Sequence, residues 1–295
     1  MEKIYLSDSG PKVSPAIYGF WRWGAEGENS VSTMEEIINL CLDLGINTFD
    51  HADVYGGYQS EELFGKVIQQ KSFKRENIVL FTKCGLLKTS ANRPDVRVLH
   101  YNTSREHILK SVNNSLKNLK TDYIDIFLLD HLDPLSNLEE TAGTLLGLIE
   151  AGKVKHIGVA NFTASQHQLL ASHLRVPIVT SHLELNLLNT TAIDDGRFDF
   201  IRQKYSKPLA WSPLAGGRIL VGNDERALKL RAKLEQIGGK YDANIEQTAV
   251  AWLVKLGALP LIGTLDKQRI KNATSAFDIP LDHQDWFELY DAAKA

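Results

Sequence analysis

The stretch INTFDHADVYGGYQSEELFG, Ile46 to Gly65, passes from an apolar run through a polar turn into a segment of helical period. Asp50, His51, Asp53, Tyr55 and Glu61 crowd that junction, with Gly56 and Gly57 placed where a chain would bend sharply. A strand that ends in chemistry-bearing side chains and is followed at once by a helix is one half of a βα repeat. The rest of the chain supplies seven more such halves.

Short runs rich in Val and Ile recur at 13–21, 78–84, 123–131, 154–162, 178–185, 207–214 and 258–264. Their near-continuous apolar character predicts strands buried on both faces, as in a parallel sheet. Between them lie helical segments with start signals: Ser32 to Glu35, Thr103 to Glu106 and Ser136 to Glu139 each have capping-box spacing. Gly45 and Gly152 follow periodic segments as stop signals. Ser60 is expected to open the helix after the Gly pair, with Glu61 and Glu62 supporting its N-terminus. Ile108, Val112, Leu116 and Leu119 share one face of a helix and should pack on the sheet.

Eight strands, each followed by helical sequence, predict a single-domain (β/α)8 TIM barrel over residues 1–295. The rival open doubly wound sheet would usually carry G-x-G-x-x-G after its first strand if it bound a dinucleotide, and that motif is absent there. Residues 2–13 are expected to form a hairpin closing the barrel bottom. NDERALKLRAKLEQIGGKY and LDHQDWFELYDAAKA read as an inserted helix and a C-terminal one.

Composition bounds the function. A net charge of -3 and 43% hydrophobic residues give no reason to expect nucleic acid or an anionic membrane as a partner. Cys41 and Cys84 stand alone, without CxxC spacing, so neither a disulfide framework nor a zinc site is expected. No window reaches the roughly 18 apolar residues of a membrane span, and MEKIYLSDSGPKVS lacks a signal-peptide core. The expectation is a cytoplasmic enzyme acting on a small molecule.

In a barrel of this kind functional residues stand at the C-terminal strand ends. Asp50 and Tyr55, Lys83, His131, Asn161, His182 with Glu184, and Trp211 with Ser212 occupy those places in turn. Tyr, Lys, Asp and His together suggest a tuned phenol. An ammonium nearby would lower the Tyr55 pKa, a carboxylate would keep Lys83 charged, and His131 would orient a carbonyl. A site of that kind needs a hydride source, for which a nicotinamide is the natural supplement. Cys84, adjacent to Lys83, should face the opposite side of the strand. His51, His156, His173 and His283 read as ordinary surface or capping residues, and Trp23, Trp252 and Trp286 as packing residues. A lyase or isomerase using Lys83 as a Schiff base is a weaker alternative.

GINTFDHADVYGG, FTKCG, the LLDH of FLLDHLDP, and GKVKHIGVANF resemble, in order, the signature blocks of the aldo-keto reductases. HADVYGGYQSE and AWSPLAGGR are similar to a bacterial oxidoreductase subgroup of the YdhF type. The resemblance runs from about Ile17 through Ile270. It implies an NADPH-dependent reduction of an aldehyde or ketone to an alcohol, with NADH less favoured. Asp50, Tyr55, Lys83 and His131 match the catalytic tetrad, Tyr55 as proton donor. Asn161 and His182 match positions facing the nicotinamide carboxamide, and Trp211 one whose ring lies against the nicotinamide. Ser212 and Leu214 begin the pyrophosphate loop, whose block extends to Arg218. Gly19 and Phe20 match the first cofactor loop, and Trp21 an aromatic wall facing substrate. Thr264 and Arg269 match contacts to the 2′-phosphate, with no metal implied and a monomer expected.

The chain departs from the family pattern at Ala160, His182, Gly263, Asn272 and Ala273, where Ser, Gln, Lys, Glu and Asn are usual. Losses at 160 and 263 keep open a second class, a nicotinamide-binding sensor or regulatory subunit with vestigial catalysis. Substrate loops are expected at Trp21–Glu28, Leu86–Arg97 and Asn223–Arg226. The direction of Asp130, just before His131, is left open.

Overall fold

Each of the eight apolar runs contains a strand of one closed parallel barrel. In chain order these are Ile17–Gly19, Thr48–Asp50, Val79–Cys84, Ile124–Asp130, Val154–Ala160, Ile178–Glu184, Pro208–Trp211 and Leu259–Ile262. The structure is a computed structural model that describes residues 1–24, 27–70 and 73–294; the expected first substrate loop therefore includes Ala25 and Glu26, and the expected C-terminal helix Ala295, which lie outside the described residues. Neighbours in sequence are neighbours in the barrel, and the eighth strand closes on the first through Leu261 opposite Ile17 and Ile262 opposite Tyr18.

Alternation along each strand divides two cores. Ile17, Phe81, Ile126, Leu128, Leu209, Leu259 and Leu261 fill the barrel interior, while Leu80, Cys84, Phe127 and Leu129 pack outward against helices. The two-residue period thus turns Lys83 inward with Phe81, and Asp130 inward with Ile126 and Leu128. Cys84 is buried on the helix side with Ile108 and Val112, where burial pushes its thiol well above the usual range.

The expected N-terminal hairpin forms, with Ile4–Tyr5 pairing antiparallel to Lys12–Val13. Leu6 and Val13 enter the interior cluster, and Leu6 O accepts from Lys207 N at the foot of the seventh strand, so the hairpin plugs the bottom. The inserted helix is Glu225–Gly238 and the C-terminal helix begins at His283. Trp286 stacks on Trp252 of helix Ile245–Leu256, which precedes the eighth strand, at 5.0 Å, each indole N–H donating to the other's carbonyl, which fixes the C-terminal helix on the outside.

The helix starts lie one or two residues from the sequence expectation. Ser30, Ser104 and Asn137 are the true caps, accepting from Thr33, His107 and Glu140 backbone N–H groups. Among the described residues the complete capping boxes are instead Thr163–Gln166 and Asn244–Gln247. Where several Ser, Thr and Asn stand in a row, the one that caps is the one whose backbone is still extended, and that is set by how the chain leaves the barrel. Gly45 and Gly152 end their helices at φ of +81° and +70°, in the left-handed region that glycine enters without strain.

Candidate active site

Four of the eight strands leave the barrel mouth through a left-handed residue: Gly85 after the third, His131 after the fourth, Asn161 after the fifth and Ser212 after the seventh. For the three non-glycine residues this conformation costs roughly 1–2 kcal/mol each. It turns the chain outward immediately, while His131, Asn161 and Ser212 remain in the wall of a cavity of about 560 Å³. Tyr55, Lys83, Asp130, His182 and Trp211 line the same cavity.

The turn after the second strand explains the crowding at Asp50 to Tyr55. Gly56 and Gly57 both have positive φ, and a Cβ on Gly56 would lie 1.7 Å from Trp23 O. Only a bare backbone lets this turn nest against the first loop and bring Tyr55 back over Asp50. The Tyr55 hydroxyl donates to Asp50 Oδ2 at 3.2 Å. Lys83 Nζ lies 2.6 and 2.7 Å from the two oxygens of Asp50, and donates to His51 O at 2.7 Å. Asp50 is fully buried and Lys83 nearly so.

This geometry corrects the expectation that Lys83 lowers the Tyr55 pKa. The ammonium spends its donors on Asp50 and His51 and lies 4.8 Å from the centre of the Tyr55 ring. Burial first, then the Asp50 and Asp130 carboxylates, holds the phenol well above its ordinary value. Tyr55 is therefore a fully protonated donor throughout the neutral range. Burial also raises the Asp50 carboxyl, opposed by the charge and hydrogen bonds of Lys83.

His131 stacks on Tyr101 at 4.5 Å and 13°, and its Nδ1 lies 2.8 Å from Asp130 Oδ1 without the angles of a hydrogen bond. Tyr101 belongs to a hairpin, Leu86–Leu87 with His100–Tyr101, whose first strand lies within the expected substrate loop Leu86–Arg97. Its two-residue strands are too short to leave a periodic signal. The hairpin's turn brings Lys88, Thr89 and Ser90 to the cavity, and Tyr58, at φ +71°, donates its hydroxyl to Lys88 O.

His182 is buried, with Nδ1 3.8 Å from Asp50 Oδ1 and Nε2 without a partner among the described residues. Burial, then Lys83, lowers its pKa well below the usual value, so it is neutral. His51 is not the surface residue expected: it is fully buried, stacked on Phe20 at 4.5 Å, and its pKa is lowered well below the usual value by burial, then by Lys83. Glu61, expected to serve a helix N-terminus, is buried and accepts from Thr82 Oγ1 at 2.6 Å. Ser60 begins its helix, yet its hydroxyl donates to Phe20 O instead of capping.

A second cleft adjoins the cavity and shares Trp21, Ser212 and Leu261 with it. Leu214, Gly216, Gly217, Thr264 and Arg269 line it, together with Arg22. Trp21 is 43% exposed and forms the wall between the two spaces. A Cβ at Gly263 would lie 2.4 Å from Trp21 Nε1, so the glycine in place of the usual Lys makes room for this indole. Arg269 Nε donates to buried Glu246 Oε1 at 2.8 Å, and Asn272 donates to Glu246 Oε2.

Three expected cofactor residues stand apart from both spaces. Phe20 is fully buried against His51 and Phe64, its N–H bonded to Asp50 O and its C=O to Ser60. Gly19 is enclosed, with Leu261 Cδ2 at 2.6 Å from where its Cβ would be. Arg218 is an exposed residue forked onto Asp224. None of the three lines the cavity or the cleft.

Asp53, three residues beyond Asp50, accepts from Ser111 Oγ at 2.7 Å, yet burial pushes its carboxyl up to about 7. An unfolded Asp titrates near 4, so between about pH 4 and 7 the folded chain keeps a proton that the unfolded chain has lost. Stability therefore falls as pH rises through that window. Asp53→Asn is expected to gain roughly 1–2 kcal/mol above pH 7, since partial opening to solvent screens the full penalty, and almost nothing near pH 4. Thermal melts at the two pH values check this; an equal change at both would show that Asp53 is not the titrating group.

A closed parallel barrel with a buried Tyr–Asp–Lys cluster and a His at its mouth defines a class of oxidoreductase site. The Aldo/keto reductase family model matches residues 15–294, and the chain belongs to that family. It is 39% identical to the uncharacterized oxidoreductase YcsN of Bacillus subtilis, over 100% of this chain and 98% of that one. It is 37% identical to a 6-dehydroglucose reductase of Agrobacterium fabrum and to the oxidoreductase YdhF of Escherichia coli, each over 99% of this chain and 98% of the relative. Among solved structures, the thermostable aldo-keto reductase Tm1743 in complex with the inhibitor epalrestat superposes with a TM-score of 0.83 at 26% identity, covering 99% of this chain and 100% of that one.

Proposed function

We propose that this protein is an NADPH-dependent reductase that converts an aldehyde or ketone to an alcohol, with Tyr55 as proton donor. The observation that carries the reading is the buried chain Tyr55 Oη–Asp50–Lys83 Nζ opening into the cavity beside His131. The residues present fit a nicotinamide dinucleotide. His182 Nε2 is an orphaned buried group at the cavity, Asn161 offers an amide and Trp211 a ring, and the adjoining cleft carries Arg22 and Arg269. When bound, the nicotinamide supplies hydride to the carbonyl carbon.

The chain's own residues do the rest. His131 and Tyr55 both line the cavity, where a carbonyl oxygen would be held between them. As that oxygen gains charge, Tyr55 gives up its proton. A phenol this weakly acidic still protonates an alkoxide, which is more basic than phenolate. Lys83 and Asp50 stay paired beneath, so the carboxylate that accepts from Tyr55 is held in place without rearrangement. Lys83 donates three hydrogen bonds to oxygen acceptors, which argues against an uncharged amine free to form a Schiff base. The completeness of this cluster favours an enzyme over the sensor reading, in spite of Ala160.

Lys88, Thr89 and Ser90 beside the aromatic walls Trp21 and Tyr58 suit a small hydroxylated carbonyl compound, in keeping with the 6-dehydroglucose in the name of the Agrobacterium relative. Preference for NADPH rests on Arg269, which lines the cleft with its Nε donating to Glu246. Arg269→Met is expected to weaken NADPH about 10-fold and NADH less than about 2-fold. Fluorescence titration with both cofactors checks this, and equal losses would place the guanidinium away from the 2′-phosphate. Among the described residues no helix is long and apolar enough to cross a membrane. A monomer acting in the cytoplasm completes the proposal. Oxidation of NADPH across a panel of aldehydes and ketones tests the whole reading; binding without turnover on every member would favour the sensor.

A further inference from the structure

Apart from its charge near Tyr55, Asp130 has no role in the reading above, yet it is buried in the cavity wall beside His131 and Asn161. Asn161 Nδ2 donates to Asp130 Oδ1 at 2.8 Å, and Trp211 Nε1 donates to Asn161 Oδ1 at 3.0 Å. The two neighbours of this amide have opposite and unambiguous capacities. An indole N–H only donates, and an ionised carboxylate only accepts. A flipped Asn161 would set N–H against N–H at Trp211 and oxygen against oxygen at Asp130, so a single orientation is allowed. After those two bonds Asn161 retains one N–H and one lone pair, the complement of a primary carboxamide. Ala160 beside it has no polar group to share that task.

We infer that Asp130 is a positioning residue: it fixes the Asn161 amide in the orientation that receives the nicotinamide carboxamide. This rests on the cofactor reading above and adds to it a residue that the family resemblance does not mark. The carboxylate stands where the two-residue period of the fourth strand turns it inward, one position before His131. Holding Asn161 from the cavity side spares the cofactor from ordering a freely rotating amide, which lowers the cost of binding.

The test is titration of the full chain with NADPH and with NADH, followed by fluorescence. Asp130→Leu, close in size and without an acceptor, is expected to weaken both dinucleotides about 10-fold. Asp130→Asn is expected to stay within about 3-fold of the parent, because its amide oxygen still accepts from Asn161. In an Asn161→Ala background Asp130→Leu is expected to cost nothing further, since the residue it acts through is gone. Three results would overturn the inference: no loss in Asp130→Leu, a loss in Asp130→Asn as large as in Asp130→Leu, or a full loss in the Asn161→Ala background. The second would assign Asp130 a charge effect and the third an action through His131, 2.8 Å away. Should Asp130→Leu fail to fold, as judged by melting, Asp130→Ala in the same two backgrounds gives the same comparison. A parent protein that binds neither dinucleotide removes the cofactor reading and this inference together, whereas a parent that binds beside an unaffected Asp130→Leu overturns the inference alone.

Discussion

Tyr55→Phe is expected to lower kcat by roughly 10²–10⁴, the range a positioned general acid contributes. NADPH affinity should stay within about 2-fold, because the phenol makes its hydrogen bond to Asp50 and not to any residue of the second cleft. Stability should change little. The hydroxyl is a donor to Asp50 Oδ2, and that oxygen keeps its bond from Lys83 at 2.7 Å, so the loss is about 1 kcal/mol. The measurement is single-turnover reduction of a carbonyl substrate beside a cofactor titration. Most of the activity surviving in this variant would mean that the alkoxide takes its proton elsewhere, His131 being the next group in the cavity wall.

Lys83→Met should damage both the fold and the chemistry, for one electrostatic reason. Asp50 is fully buried, and Lys83 is the cation that opposes its desolvation. Removing one partner of a buried pair costs about 3–5 kcal/mol. At a few degrees per kcal/mol for a chain of this size, the melting temperature should fall on the order of 10 °C. Replacing both partners, Asp50→Leu with Lys83→Met, should recover much of that stability, since no uncompensated charge stays behind. It should recover none of the turnover. Melting curves and rates for the single and double variants separate the two effects. A single variant that melts like the parent would show the pair to be more hydrated than its burial indicates.

The two predictions share a cause that the sequence alone misassigned. Reading Asp50, Tyr55, Lys83 and His131 as one cluster needed only their places at successive strand ends. Reading Lys83 as an acidifier of Tyr55 needed the direction of an ammonium, and the structure points that ammonium at Asp50 and His51. Tyr55 consequently sits among carboxylates in a buried site, and its proton is held tightly.

What could be read from the chain was whatever is written locally and repeatedly. All eight barrel strands were legible because a parallel barrel buries both faces of each strand, which leaves continuous Val- and Ile-rich runs. The inward direction of Asp130 was legible too, through its even spacing from Ile126 and Leu128, though the sequence reading left it open. The burial of His51 and Glu61 was not legible, because each depends on partners from other elements: Phe20 and Phe64 for the first, Thr82 for the second. Arg218 was drawn toward the cleft by its motif, while Asp224 holds it at the surface.

The sequence by itself determined the barrel, its hairpin plug and the three strand ends that carry Asp50 with Tyr55, Lys83 and His131, because periodicity and turn chemistry act over a few residues. The tertiary structure decided which donor meets which acceptor: Lys83 with Asp50, Asn161 between Asp130 and Trp211, Trp21 in the space left by Gly263. Those choices turn on distances of a few tenths of an ångström between groups brought together from separate strands. No local pattern carries that information; it exists once the barrel has closed.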